Sequence, residues 1–306
     1  MGISSGKGPK VAVLMGGHSL EREVSLISGQ ACSAALRGKD FEVLELDAGH
    51  DVVQRLSELR PDVVFNALHG RWGEDGSIQG VLEWLRIPYT HSGVMASALA
   101  MDKNRSKHIF SDFGLPTAQG LIIDKTNLIN AHPLQRPYVV KPNNEGSSIG
   151  VYFVNPAEDP PLNLSSDMPS NLMVEEYIPG RELTVTVMDK KALLVTDIIT
   201  KKWYDYDAKY KNGGSVHEVP AKIPEKIKDK CLEYALSAHE LIGCRGISRA
   251  DFRWDESLGL DGLILLEINT QPGMTPTSLA PEQAEICGIK FGDLCQWLVE
   301  DASCDR

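Results

Sequence analysis

At 306 residues the chain exceeds the usual size of one hydrophobic core, and about two domains, or three small ones, are expected. Its composition, 42% apolar and 24% charged, is that of an ordinary soluble globular protein, and a net charge of −11 argues against a nucleic-acid partner while leaving room for a local basic pocket. No apolar stretch approaches the ~18 residues of a membrane span, residues 1–10 lack the apolar core of a signal peptide, and six cysteines without CxxC spacing point to free thiols, so the expectation is a cytoplasmic protein without a membrane partner.

The chain opens in an alternating β/α style. Residues 10–15, KVAVLM, read as a buried strand, Gly16-Gly17 as a turn, and residues 19–36 as a helix with Leu20, Val24, Ile27 and Ala31 at mostly three- and four-residue spacing. Strands at 41–46 and 62–68 and a helix at 78–85 follow. Such alternation implies a parallel sheet whose ligand crevices lie beyond the carboxyl ends of its strands. Two loops occupy those ends, GGHSLEREVSL and ALHGRWGEDGS. The first leads into a helix N-terminus, which attracts anions, but lacks the GxGxxG spacing of a dinucleotide site. Glu21 and Glu23 read equally as charges favourable to the helix dipole or as functional acids. His69, at the lip of the second loop, reads as a hydrogen-bonding residue or as a catalyst.

Residues 101–114 form a short charged helix closed by Gly114 and Pro116, with a domain boundary near its start. Beyond it the style changes to antiparallel strands. Runs at 137–141 and 151–154 flank PNNEGSSIG, where small residues after Lys141 allow backbone N–H groups to approach a phosphate; the alternative is a plain flexible turn. Further runs at 172–177 and 182–187 place Glu175, Glu176 and Glu182 around Tyr177-Ile178, either a hinge cleft for a purine or a charged strand edge. Residues 201–215, KKWYDYDAKYKNGGS, form a long loop without hydrophobic period, a candidate lid.

After an amphipathic helix at 224–242, CRGISRADFRWD places Arg249 and Asp251 two apart on one strand face with Ile247. Its hairpin partner ends in LLEINTQPGM, and strict alternation puts Glu267 and Asn269 on the face of Leu263 and Leu265. Four polar groups in an apolar sheet are costly unless they hold something. Two carboxylates and an amide oxygen suit Mg²⁺, and Arg249 can face a phosphate that the metal binds; a structural salt bridge between Arg249 and an acid is the alternative.

Across residues 11–299 the chain resembles the D-alanine:D-alanine ligases of the ATP-grasp superfamily. The resemblance is carried by GGHSLEREVSL, ALHGRWGEDGS, MDKNRSK, VVKPNNEGSSIGV, VEEYIPGRELTV, YDYDAKY, RADF and LLEINTQPGMTPTSLAP. It implies a mixed α/β and α+β protein with an ATP-grasp fold: an N-terminal Rossmann-like α/β domain (residues 1–100), a central ATP-grasp subdomain (101–185) and a C-terminal subdomain with lid loop and metal site (186–306). The implied reaction is ATP-dependent joining of two D-alanines to D-alanyl-D-alanine for peptidoglycan, through an acyl phosphate.

By motif position the resemblance puts Lys103 and Lys141 on the ATP phosphates, and Glu175, Glu176, Ile178 and Glu182 on adenine and ribose. Asp251, Glu267 and Asn269 would bind two Mg²⁺ or Mn²⁺ ions, with the hairpin at 145–150 as a flap. Arg249 would meet the transferring phosphoryl and the Gly273 N–H the tetrahedral oxyanion. Glu21 would pair the first D-alanine's ammonium, His69 would lie near its carboxylate, and Ser278 with the Leu279 N–H would take the second carboxylate. Glu21, Ser147 and Tyr210 would close the lid, Lys209 reaching phosphate and Tyr210 with Ser147 serving as candidate base. Tyr210 also favours an amine nucleophile, because ester-forming relatives carry phenylalanine there. A homodimer is the family's expectation. Another ATP-grasp carboxylate–amine ligase and a non-catalytic ATP-binding module are the competing functions.

Overall fold

The computed structural model describes residues 8–128, 131–146, 150–157, 164–165, 168–200, 215–275 and 277–305. Its first layer is a parallel sheet in the order β2 (Glu42–Asp47), β1 (Lys10–Met15), β3 (Val63–Asn66). The central KVAVLM run is apolar without alternation because helices cover both of its faces. On one side Val11 and Val13 pack with Cys32 and Leu36 of α1 (Arg22–Arg37) and with Leu294 and Leu298 of α9 (Phe291–Asp301). On the other, Ala12 and Leu14 pack with Leu56 of α2 (Val52–Leu59) and Leu82 of α3 (Ser77–Leu85). The last helix of the chain therefore completes the first layer.

After α4 (Val94–Met101) and α5 (Lys103–Asp112) come two antiparallel sheets. The smaller runs β4 (Gly120–Asp124), β7 (Asn171–Glu176), β5 (Tyr138–Pro142), β6 (Tyr152–Val154), with α6 (Lys125–Leu128) beside it. The larger runs β10 (Ser215–Glu218), β9 (Lys191–Thr200), β8 (Arg181–Met188), β11 (Ile247–Trp254), β12 (Leu263–Asn269). Phe252 and Leu265 of this sheet bury against Phe110 of α5 and against Ile227, Cys231 and Ala235 of α7 (Glu225–Ile242). α8 (Leu279–Ile286) follows the last strand.

The chain crosses from the smaller sheet to the larger one between Glu176 and Arg181. Gly180 has φ +92°, and a Cβ there would lie 2.1 Å from the Trp254 carbonyl oxygen, so only glycine fits this turn. Arg253 braces it from β11, donating from Nε to the Ile178 carbonyl at 3.1 Å and from Nη2 to the Gly180 carbonyl at 2.8 Å.

The strand reading of β12 needs correction. Asp251 pairs with Glu267, but Phe252 pairs with Leu265, so β12 carries one extra residue at Leu266. A bulge of this kind shifts the alternation. Leu263, Leu265 and Ile268 consequently share the core, while Glu267 and Asn269 leave the face of Leu263 and Leu265 and open toward a cavity. All six cysteines are free, and among the described residues no helix is long and apolar enough to cross a membrane.

Candidate active site

The polar face expected of β11 and β12 is present. Arg249 stands opposite Asn269, and Asp251 opposite Glu267. Arg249 grips Asp251 at two points, Nε to Oδ1 at 2.8 Å and Nη2 to Oδ2 at 2.7 Å, so the salt bridge left open in the sequence exists. Thr184, on the neighbouring strand β8, adds its hydroxyl to Asp251 Oδ1 at 2.6 Å. Glu267 faces Lys103, whose Nζ lies 3.3 Å from Oε2 and also donates to the Glu145 carbonyl at 2.6 Å. Asn269 Oδ1 accepts the Gln271 N–H at 2.8 Å, which fixes the amide's orientation.

Two cavities meet at this face. One is lined by Glu21, His69, Arg249, Asn269, Gly273, Ser278 and Leu279; the other lies between the two antiparallel sheets and is lined by Lys141, Glu175, Glu176, Tyr177 and Ile178. Lys103, Gly146, Glu182, Asp251 and Glu267 line both. A group passed from a ligand in one cavity to a ligand in the other would cross at these residues.

The first cavity carries fixed charges. Glu21 enters it from the start of α1, between two glycines: a Cβ on either Gly70 or Gly146 would approach Glu21 Oε1 to 2.8 Å. His69 is buried, with Nε2 3.0 Å from Ser28 Oγ and Nδ1 3.4 Å from Glu74 Oε1. Burial works to lower its pKa, but Glu74, aided by Glu21, outweighs burial and holds it above the ordinary histidine value. The imidazole is thus disposed to be cationic. Across the cavity Ser278 is the residue before α8, so the N–H groups of the first turn, Leu279 among them, lack intrahelical acceptors. Ser278 Oγ accepts the Thr275 N–H at 2.9 Å and lies 2.8 Å from Thr275 Oγ1. A Cβ on Gly273 would come within 2.9 Å of Ser278 Oγ, so the backbone of Gly273 is drawn close to this corner.

In the second cavity Lys141 is buried on β5 and bonded to Glu175 Oε1, while Lys107 of α5 is bonded to Glu175 Oε2. Burial would raise the Glu175 pKa, yet the two lysines bring it down to about 2. Glu175 is therefore an anchor for two cations, whereas Glu176 is exposed beside Ile178 at the crossing of the sheets. Glu182 lies 3.4 Å from Arg253 Nη1.

Glu23 is exposed in the first turn of α1 and lines neither cavity, whereas every other candidate site residue that is described lines one of the two. Ser147, Lys209 and Tyr210 lie outside the described residues, as does the candidate lid loop at 201–215 apart from Ser215, which begins β10. The sequence reading missed Thr184, Glu74, Lys107 and Arg253. Lys107 had a usable signal, four residues after Lys103 on one helix face; Glu74 sat unassigned inside ALHGRWGEDGS.

Asp251, Glu267 and Asn269 offer oxygen donors alone, the chemistry of a hard divalent cation. Among the described residues no three His, Cys, Asp or Glu side chains group to enclose a metal. An ion here would complete its shell with water and ligand oxygens, which suits magnesium, and the donor set fits it.

Family models describe two parts of the chain: the D-Ala–D-Ala ligase C-terminus matches residues 109–300, and the corresponding N-terminus residues 47–92. The D-alanine–D-alanine ligase of Ruegeria sp. (strain TM1040) is 64% identical over 306 residues, the whole of both chains. That of Cereibacter sphaeroides (strain ATCC 17025 / ATH 2.4.3) is 65% identical over 298 residues, 97% of each. Among solved structures, the D-alanine–D-alanine ligase of Bacillus anthracis complexed with ATP superposes with a TM-score of 0.78 at 27% identity, over 96% of this chain and 97% of that one.

Proposed function

The chain belongs to the D-alanine–D-alanine ligase family, and from that premise we propose how its own residues join two D-alanines with ATP. It is an ATP-dependent ligase that forms D-alanyl-D-alanine for peptidoglycan. The observation that carries the residue assignments is the meeting of two cavities at Lys103, Asp251 and Glu267.

ATP occupies the cavity between the antiparallel sheets. Adenine and ribose lie at the crossing of the sheets, against Ile178, Glu175, Glu176 and Glu182, and the phosphates run toward Lys141 and Lys103. Lys209, outside the described residues, is assigned to the same phosphates by its motif position. The first D-alanine lies in the other cavity, its ammonium on Glu21 and its carboxylate toward His69, whose protonated form Glu74 favours. A carboxylate oxygen attacks the γ-phosphorus as the bond to the β–γ bridging oxygen breaks, giving an acyl phosphate and ADP. Arg249 meets the charge on the phosphoryl oxygens in transit.

The second D-alanine places its carboxylate on Ser278 and the Leu279 N–H. Its amine attacks the acyl carbonyl, the Gly273 N–H stabilises the oxyanion, and phosphate leaves. The amine proton goes to a base, for which Tyr210 with Ser147, both outside the described residues, is the candidate; the same motif positions assign Glu21, Ser147 and Tyr210 to lid closure. Asp251, Glu267 and Asn269 would hold two Mg²⁺ or Mn²⁺ ions, which would supply positive charge to the phosphoryl transfer.

Work in the cytoplasm and pairing of two copies belong to the same proposal; the exposed side chains of Trp84 and Met95 offer apolar surface for such pairing. Phosphate release by the purified protein with ATP and Mg²⁺ tests the function. Release should depend on D-alanine and fail with L-alanine or D-lactate; absence of D-alanine-dependent turnover would reject the reading.

A further inference from the structure

Lys107 is as buried as the residues of the core and lines neither cavity. It lies behind Glu175. Its ammonium bonds Glu175 Oε2 and lies 3.4 Å from the Ala118 carbonyl oxygen, while Lys141, on the cavity side, bonds Glu175 Oε1. One buried carboxylate is thus shared by two ammonium groups, of which one can meet a ligand and one cannot.

The charge balance of this triad is what the nucleotide would feel. With both lysines charged, Glu175 is neutralised once and one positive charge remains. With Lys107 absent, Glu175 and Lys141 cancel, and Lys141 is left bound to the carboxylate as its sole counter-ion within the triad. All three groups are buried, where such a change is only weakly screened. The two lysines also differ. At Lys107 burial, together with repulsion from Lys141, outweighs Glu175 and lowers its pKa, whereas at Lys141 Glu175 and Glu267 outweigh burial and raise it. Lys141 keeps its proton firmly, and the charge on Lys107 is the one that leans on Glu175.

We propose that Lys107 is a positioning residue for ATP: by taking up the charge of Glu175 from behind, it leaves the Lys141 ammonium positive and available to a phosphate group that Lys107 itself never touches. The inference rests on the reading that Lys141 faces ATP phosphate, and it adds a device that sets the affinity of that site.

The test compares Lys107→Met and Lys107→Arg with the unaltered enzyme, and the double variant Lys107→Met/Glu175→Gln with Glu175→Gln alone, by steady-state kinetics in ATP and in D-alanine. Lys107→Met should raise the KM for ATP about tenfold or more, with the KM for D-alanine held within about twofold. Lys107→Arg should restore most of the loss. In the Glu175→Gln background the same Lys107→Met change should raise the KM for ATP no more than about twofold over Glu175→Gln alone, because a neutral glutamine no longer competes with phosphate for Lys141. Should Lys107→Met not fold, Lys107→Gln takes its place, keeping a donor toward Glu175 without the charge. An unchanged KM for ATP, a parallel rise in both KM values, or an undiminished effect of Lys107→Met in the Glu175→Gln background would overturn the proposal, each being the mark of packing alone. If the unaltered enzyme shows no D-alanine-dependent turnover, the ligase reading fails, an outcome distinct from failure of the Lys107 variants.

Discussion

Asp251 on β11 stands directly across from Glu267 on β12, and the extra residue Leu266 puts it there. Like charges facing each other across a strand pair are destabilising. Both are retained because cations stand on either side: Arg249 and the Thr184 hydroxyl hold Asp251, and Lys103 lies 3.3 Å from Glu267. An arrangement that sets two acids together and then surrounds them with positive charge is built for a ligand carrying both signs, such as a metal-bound phosphate.

Glu267→Gln should therefore separate folding from catalysis. It preserves volume and removes the repulsion with Asp251, so the thermal midpoint should not fall. Turnover should drop by at least ~10² to 10³-fold, the usual loss when a group stabilising transition-state charge is removed. Calorimetry and D-alanine-dependent phosphate release across a Mg²⁺ titration check both arms. Full activity at low Mg²⁺ would show that Glu267 is not a metal ligand.

How far the sequence reveals this site depends on the distance over which each feature acts. The central strand of the parallel sheet is legible in KVAVLM because burial on both faces leaves an unbroken apolar run. α4 is not, because VMASALAM is apolar or small on every side and offers no face for a helical period to mark. The oxygen-rich ends of β11 and β12 stand out, since polar groups inside apolar strands need a reason. The bulge at Leu266 does not, because period-two reasoning assumes a regular strand and nothing in LLEIN marks the extra residue. Arg253 was hidden for another reason: its bonds to Ile178 and Gly180 span more than seventy positions, a distance no local pattern can report. The packing of α9 onto the first sheet is hidden in the same way.

Gly146→Ala tests the placement of Glu21. The added Cβ would come within 2.8 Å of Glu21 Oε1, and Glu21 is buried with little room to retreat. The carboxylate should be pushed from the position assigned to the first D-alanine's ammonium. A hydrogen bond to a charged group contributes roughly 1.5–3 kcal/mol, so the KM for D-alanine should rise about ten- to hundredfold. Circular dichroism and the thermal midpoint should stay close to those of the unaltered enzyme. An unchanged D-alanine KM would remove Glu21 from the substrate site.

Acid sensitivity of the larger sheet should come from His239. Its Nδ1 lies 2.7 Å from Ser248 Oγ in the seam between α7 and β11, and burial pushes its pKa down to about 4 against a weak opposing pull from Asp189. The ordinary value is 6.5. Between 6.5 and about 4 the unfolded chain binds a proton that the folded chain refuses, so stability rises with pH through this window. The contribution is fully present above the unfolded value, falls as the pH drops and levels off below the folded value. Its full span is roughly 3 kcal/mol. His239→Gln, which can still bond Ser248 but does not titrate, should lose that part of the pH dependence. Urea unfolding at a series of pH values from about 7.5 down to about 5 reads the difference directly, because the ordinary histidine value lies inside that range. Equal losses in the two proteins would mean that the acid sensitivity arises elsewhere.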